Sequence, residues 1–248
     1  MFIFGPMKTL SRIFTVLVFS LSLLSCHELE KVAKVVNENL EEAYGSTLST
    51  ADIVGGLKAA LEKGTGASIT SLSASGGFSK SIYKLAVPEK AQVVGDKLRQ
   101  YGMGKLVDDF EAKLNSAAES AVPAAKSIFV NAVKGMNFQD AMGILKGGNG
   151  AATAYFQKVT RQNLYKAFYP KISGVLNNSG TTKYWTDVTS NYNKLPGVTK
   201  VNADLNDYAC QKVLDALFDS IRKEEDKIRA NPAARTTELL KKVFAAQD

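Results

Sequence analysis

Histidine is almost missing from this chain of 248 residues, which has only His27. From a lone imidazole no Ser-His-Asp triad, Cys-His pair or multi-histidine zinc site can be assembled within one chain. Cysteine is scarce as well, limited to Cys26 and Cys210. If Cys26 is modified, Cys210 has no partner and an intrachain disulfide is excluded. A spanning helix needs roughly 20 apolar residues, and the longest apolar run, Ile13 to Leu24, falls short of that. The Gly-x-x-x-x-Gly-Lys-Ser/Thr phosphate loop is missing, as are alternating strand patterns and internal repeats. Catalysis here would have only carboxylate, Lys, Tyr and Ser side chains to draw on, and no cofactor is indicated.

What is present begins with an address. Lys8 and Arg12 precede the Ile13–Leu24 run, the arrangement of a secretory signal peptide. The run ends in Leu23-Leu24-Ser25-Cys26, which resembles the bacterial lipobox, with Leu24 where a small residue is commoner. The resemblance implies cleavage before Cys26 and lipid on its thiol, so a membrane is the first expected partner. Met7-Lys8-Thr9 is a more typical signal start than Met1. Residue 27 is not the Asp that retains many lipoproteins in the inner membrane, so the periplasmic face of the outer membrane is the favoured location. The expected division is 1–25 signal peptide, 26–48 lipid anchor and tether helix, and 49–246 one domain.

Bases number 31 against 24 acids, a net +7 that falls to +5 once Lys8 and Arg12 are removed. Spread over a domain of this size the surplus reads as solubility. Export also separates it from cytoplasmic nucleic acid, so no nucleic-acid partner is expected.

The mature chain reads as helices throughout. Leu29, Val32, Val36 and Leu40 make one amphipathic stripe. Ser49-Thr50-Ala51-Asp52 fits a capping box ahead of Ile53, Leu57, Ala60 and Leu61, with Gly64 and Gly66 weakening the helix behind them. Val87-Pro88 opens another helix, with Val93, Val94 and Leu98 expected inward. Lys105 to Met136 keeps helical spacing through Leu106, Phe110, Leu114 and Phe129, kinked or divided at Pro123. Asn137 caps a short helix. Gly147 to Gly150 introduces the next, expected to stop near Pro170. Shorter helices are expected at 171–177 and 181–193, then a strongly periodic one from Leu205 through Ile221, and a last one carrying Leu239 and Phe244. The fold class is all-α, a single multi-helix domain.

Five segments taken together carry a family likeness: Ala51-Asp52-Ile53-Val54-Gly55-Gly56-Leu57, Gly104-Lys105-Leu106-Val107-Asp108-Asp109-Phe110-Glu111, Ala121-Val122-Pro123-Ala124-Ala125-Lys126, Ala151-Ala152-Thr153-Ala154-Tyr155-Phe156 and Asn231-Pro232-Ala233-Ala234-Arg235-Thr236-Thr237-Glu238-Leu239-Leu240. In this order they resemble the bacterial domain of unknown function 4197, over roughly residues 49–246. The resemblance implies an exported helical protein, often a lipoprotein, and brings no reaction or ligand with it. The departure is Ser116, where a basic residue is expected after Asn115.

Four features are candidate sites. Asp108, Glu111, Asn115 and Glu119 share a helix face, a weak carboxylate set for a hard cation; the plainer reading is a solvated face with Asp109 and Lys113 paired. The glycines 147–150 offer amides to an anion or act as a connector. Tyr155, Tyr165, Tyr169 and Trp185 belong to an aromatic-rich third of the chain and either pack the core or line a groove for an apolar ligand. Arg235 is placed to bind a carboxylate of its own fold or of a partner. The favoured function is a membrane-anchored, non-enzymatic interaction module with an envelope protein as partner. An apolar-ligand carrier is the alternative, requiring a cavity of a few hundred Å3, and a carboxylate-dependent hydrolase the third.

Overall fold

The computed structural model describes residues 49–194, 196–201 and 204–231. The signal peptide, Cys26, the tether helix, Arg235 and the final helix lie outside the described residues. Among the described residues the structure is all-α and has no strand. In chain order come α1 (Thr50–Ser73), α2 (Gln92–Gln100), α3 (Gly104–Ala121), α4 (Ala125–Lys134), α5 (Phe138–Lys146), α6 (Ala151–Asn178), α7 (Thr181–Tyr192) and α8 (Leu205–Ala230).

Helix starts follow local chemistry. Ser49 accepts from the Asp52 amide while the Asp52 carboxylate takes the Ser49 amide, and Asn137 and Asp140 repeat the exchange at α5. The two caps fix where α1 and α5 begin. Beyond its start, α1 runs unbroken through Gly64 and Gly66. A glycine costs a helix roughly 1 kcal/mol, and at Gly64 the space is not what requires it, since a Cβ there would stand 3.7 Å from Glu224 Cβ of α8, an ordinary contact. Burial of Ile53, Leu57, Ala60, Leu61 and Leu72 then offsets the cost.

Proline acts differently at its two helical positions. At Pro123 a 3-10 turn, Val122–Ala124, divides the long run into α3 and α4. At Pro170 the expected stop does not occur, and α6 continues to Asn178, absorbing the helix expected at 171–177. Proline there removes one intrahelical bond, while Phe168 and Ile172 on either side are fully buried. Tertiary packing holds the helix together across the gap.

Among the described residues α6 and α8 are the longest helices and pack most extensively on each other, with α1 against α8 and α3 against α6. At the centre Phe129 meets Phe156 and Phe218 edge-on, with ring centroids 5.2 and 6.4 Å away. The register of α2 departs from expectation. A 3-10 turn, Glu89–Ala91, precedes it and brings Ala91 and Gly95 inward, leaving Val93 63% exposed. Leu106, also expected inward, is 49% exposed.

Candidate functional site

α3 carries one polar side chain per turn at Glu111, Asn115 and Glu119, and the three grip the connector between α1 and α2. Oε1 of Glu119 accepts from the amides of Gly76 and Phe78 at 3.1 Å each and from Ser79 at 3.4 Å. This holds the tight turn after α1, where a Cβ on Gly77 would stand 2.5 Å from the Ser71 carbonyl oxygen. One turn earlier Asn115, fully buried, accepts from the Leu85 amide and donates to the Leu85 carbonyl. Glu111 accepts from the Val87 amide at 3.4 Å and pairs with Lys84 at 2.8 Å. Connector and helix therefore run antiparallel, tied at three successive turns.

The residues of the weak cation set thus have other partners. Glu111 and Glu119 do share a face, but each is bonded to different backbone amides, and Asp108 pairs with Arg99 at 2.7 Å. Among the described residues no three metal-ligating side chains converge. Asp109 pairs backward with Lys105 at 2.7 Å, not forward with Lys113.

The glycine loop before α6 has a matching solution. Glu225 of α8 accepts from the amides of Gly150, Ala152 and Thr153 and from the Thr153 hydroxyl, at 2.9–3.1 Å. Free amides at a helix start attract an anion, and the chain supplies one itself. Arg229 donates to the same carboxylate at 3.0 Å and to the Ile144 carbonyl at 2.7 Å, so the buried charge is compensated. Gly150 lies at φ +85°, with the Arg222 guanidinium where a side chain would be.

The four aromatic candidates do not form one groove. The Tyr155 hydroxyl donates to the Ala132 carbonyl on α4. Tyr165 stacks against Tyr169 with centroids 5.7 Å apart and donates to Asp207 at 2.9 Å. That hydrogen bond, then burial and the carboxylate's charge, pushes the Tyr165 hydroxyl up to about 12. Burial, with Asp207 second, likewise pushes the Cys210 thiol up to about 12, so it stays a protonated core side chain.

Trp185 is placed differently. Its ring stacks on Phe110 of α3 at 5.5 Å and floors an apolar groove between α2, α3 and α7. Val94, Leu98, Leu106, Tyr184 and Val188 form the walls. Leu106 and Tyr184 are about half exposed, at 49% and 51%, whereas Trp185 is 5% exposed. The groove holds about 50 Å3 of space, enough for part of a side chain. Two larger depressions, about 620 Å3 between the connector and α8 and about 810 Å3 between α4 and α6, are open to solvent and mixed in polarity.

Sequence reasoning missed the groove because Val94, Leu98 and Leu106 look like ordinary core positions. No local signal marked it, since α2 carries only Val93, Val94 and Leu98 as large apolar residues, an ordinary share for an amphipathic helix. The Tyr83–Asp219–Lys223 cluster is joined by bonds of 2.8–3.0 Å, and Tyr83's place in it left no sequence trace because Tyr83 stands 136 and 140 positions before its two partners.

No curated protein and no solved structure matches the chain. The family described as Protein of unknown function (DUF4197) matches residues 47–245, taking in every described helix. The chain belongs to the DUF4197 family.

Proposed function

We propose that this protein is a lipid-anchored envelope module that binds a partner protein without chemical turnover. The observation that supports binding most directly is the apolar groove floored by Trp185, whose rim leaves Leu106 and Tyr184 in water. Exposed apolar side chains around a fixed concave floor are a usual feature of interaction sites. The groove's helical walls and its room for part of a side chain fit the tip of an apolar side chain from an amphipathic partner helix. The anchor reading rests on Leu23-Leu24-Ser25-Cys26 behind its apolar run.

The carrier reading has less support, since about 50 Å3 does not enclose an apolar molecule needing several hundred. The hydrolase reading needs two acids facing one cleft. The buried carboxylates Glu111 and Glu225 instead sit on different helices, each bonded to backbone amides and its own base.

Trp185 is the only tryptophan, so its emission reports on the groove. Titration with a tryptophan-free amphipathic helical peptide is expected to give a saturable change that Leu106→Asp abolishes. No saturable change, or one that survives Leu106→Asp, contradicts the docking site.

A further inference from the structure

The surplus positive charge is confined to one stretch of the fold. Residues 120–182 hold seven bases and one acid, Asp140, whereas the rest of the span from 49 to 231 holds 17 bases and 16 acids. That stretch comprises α4, α5 and α6. Six of its bases are lysines, Lys126, Lys134, Lys146, Lys158, Lys166 and Lys171, all exposed. Among the described residues none of the six has a carboxylate within 4 Å. The seventh base, Arg161, is bound to Asp215 at 3.0 Å.

α4 packs on α6, and the open depression of about 810 Å3 lies between them. Lys166 stands in its wall with Ile128, Tyr155 and Val159, the last 42% exposed. Asp140, the lone acid, also lines it, and its carboxylate accepts from the Asn137 amide. Lys134 sits in the last turn of α4, and Lys58 of α1 donates to its carbonyl at 3.4 Å, bringing a third helix's charge to this side. At 3.6 residues per turn Lys158 and Lys166 lie about 80° apart, on the side of α6 that carries Val159.

We propose that this α4–α6 face rests on the headgroups of anionic phospholipid. Lysine ammonium groups without paired acids act as point charges and need no fixed partner geometry, which suits a fluid array of phosphates. Val159 and Tyr155 among them supply the apolar contact of a surface held at headgroup level. The inference rests on the anchor reading in one respect, that lipid on Cys26 keeps the domain within reach of a bilayer.

The test uses lipidated full-length protein in vesicles of phosphatidylcholine, with or without added phosphatidylglycerol. Acetylation of Lys134, Lys158 and Lys166 is compared with that of Lys97 and Lys113 on α2 and α3. Each basic group near an anionic surface strengthens attraction about fivefold. The face lysines are therefore expected to be protected at least about fivefold in anionic vesicles only. High salt reverses the protection, and K158E/K166E loses it with an unchanged helical spectrum. Equal labelling in the two vesicle types, or equal protection by soluble polyglutamate, overturns the proposal. Failure of the anchor reads out separately, as loss of flotation with neutral vesicles, and failure of the groove reads out at Trp185.

Discussion

Asn115 and Leu85 exchange two hydrogen bonds, the side-chain amide of one donating to the backbone carbonyl of the other at 2.8 Å and accepting from its N–H at 2.9 Å. Asn115 thus completes the pairing of an extended segment that has no neighbouring strand. Its Nδ2 also donates to the Glu111 carbonyl, so each side-chain polar atom is used. Replacing Asn115 with Leu strands the buried backbone groups of Leu85, each costing about 1–3 kcal/mol. The expected loss in denaturant unfolding is about 3 kcal/mol, with helical content kept below the transition. A loss under about 0.5 kcal/mol contradicts the clamp.

Glu225 is expected to be the most sensitive carboxylate of the domain. Glu225→Gln keeps the shape but removes the charge that the amides of Gly150, Ala152 and Thr153 share with Arg229. Breaking a buried pair on one side typically costs about 3–5 kcal/mol. Asp108→Asn, at an exposed pair, should cost under about 1 kcal/mol. Equal losses in the two variants contradict the assigned roles.

Cys210 supplies a pH prediction. Its thiol is raised to about 12 in the fold by burial and then by Asp207, while an unfolded thiol titrates near ~8.5. The unfolded state therefore releases its proton first. The stability contributed by the buried neutral thiol is complete below the unfolded value and declines as pH rises towards the folded one. Unfolding free energy should fall above about pH 8.5 and fall less in Cys210→Ala. Reaction with a thiol reagent at neutral pH should track global unfolding, and rapid labelling of folded protein contradicts the burial.

Asp219 runs the other way. Hydrogen bonding from Lys223, with Tyr83 assisting against the cost of burial, holds its carboxyl below the usual value. Its contribution is present at neutral pH and is lost as pH falls through the folded value. In an NMR titration Lys223→Met should move the Asp219 midpoint upward, and an unmoved midpoint contradicts the cluster.

Local signals in the sequence were enough for the caps at Ser49 and Asn137, the α1 and α8 core stripes and the break at Pro123. They failed where a distant segment decided the outcome. Pro170 reads as a stop until Phe168 and Ile172 are seen buried on either side of it. The face shared by Glu111, Asn115 and Glu119 was legible from helical spacing, but its occupant was not, because the connector that fills it binds mainly through backbone groups. Trp185 was legible as an aromatic of interest, whereas its stacking on Phe110, 75 residues earlier, was not.

The anchor is tested by Cys26→Ala. Loss of acyl label together with release from the membrane is expected, and unchanged retention contradicts lipidation.

Site-specific photocrosslinking in growing cells tests the binding account most directly, with the reactive side chain placed at Leu106 on the groove rim or at Lys113 on another exposed part of α3. The account predicts one discrete protein adduct from position 106, none from position 113, and its loss when Tyr184→Asp is added. No adduct at 106, or the same adducts from both positions, contradicts a docking site at the Trp185 groove.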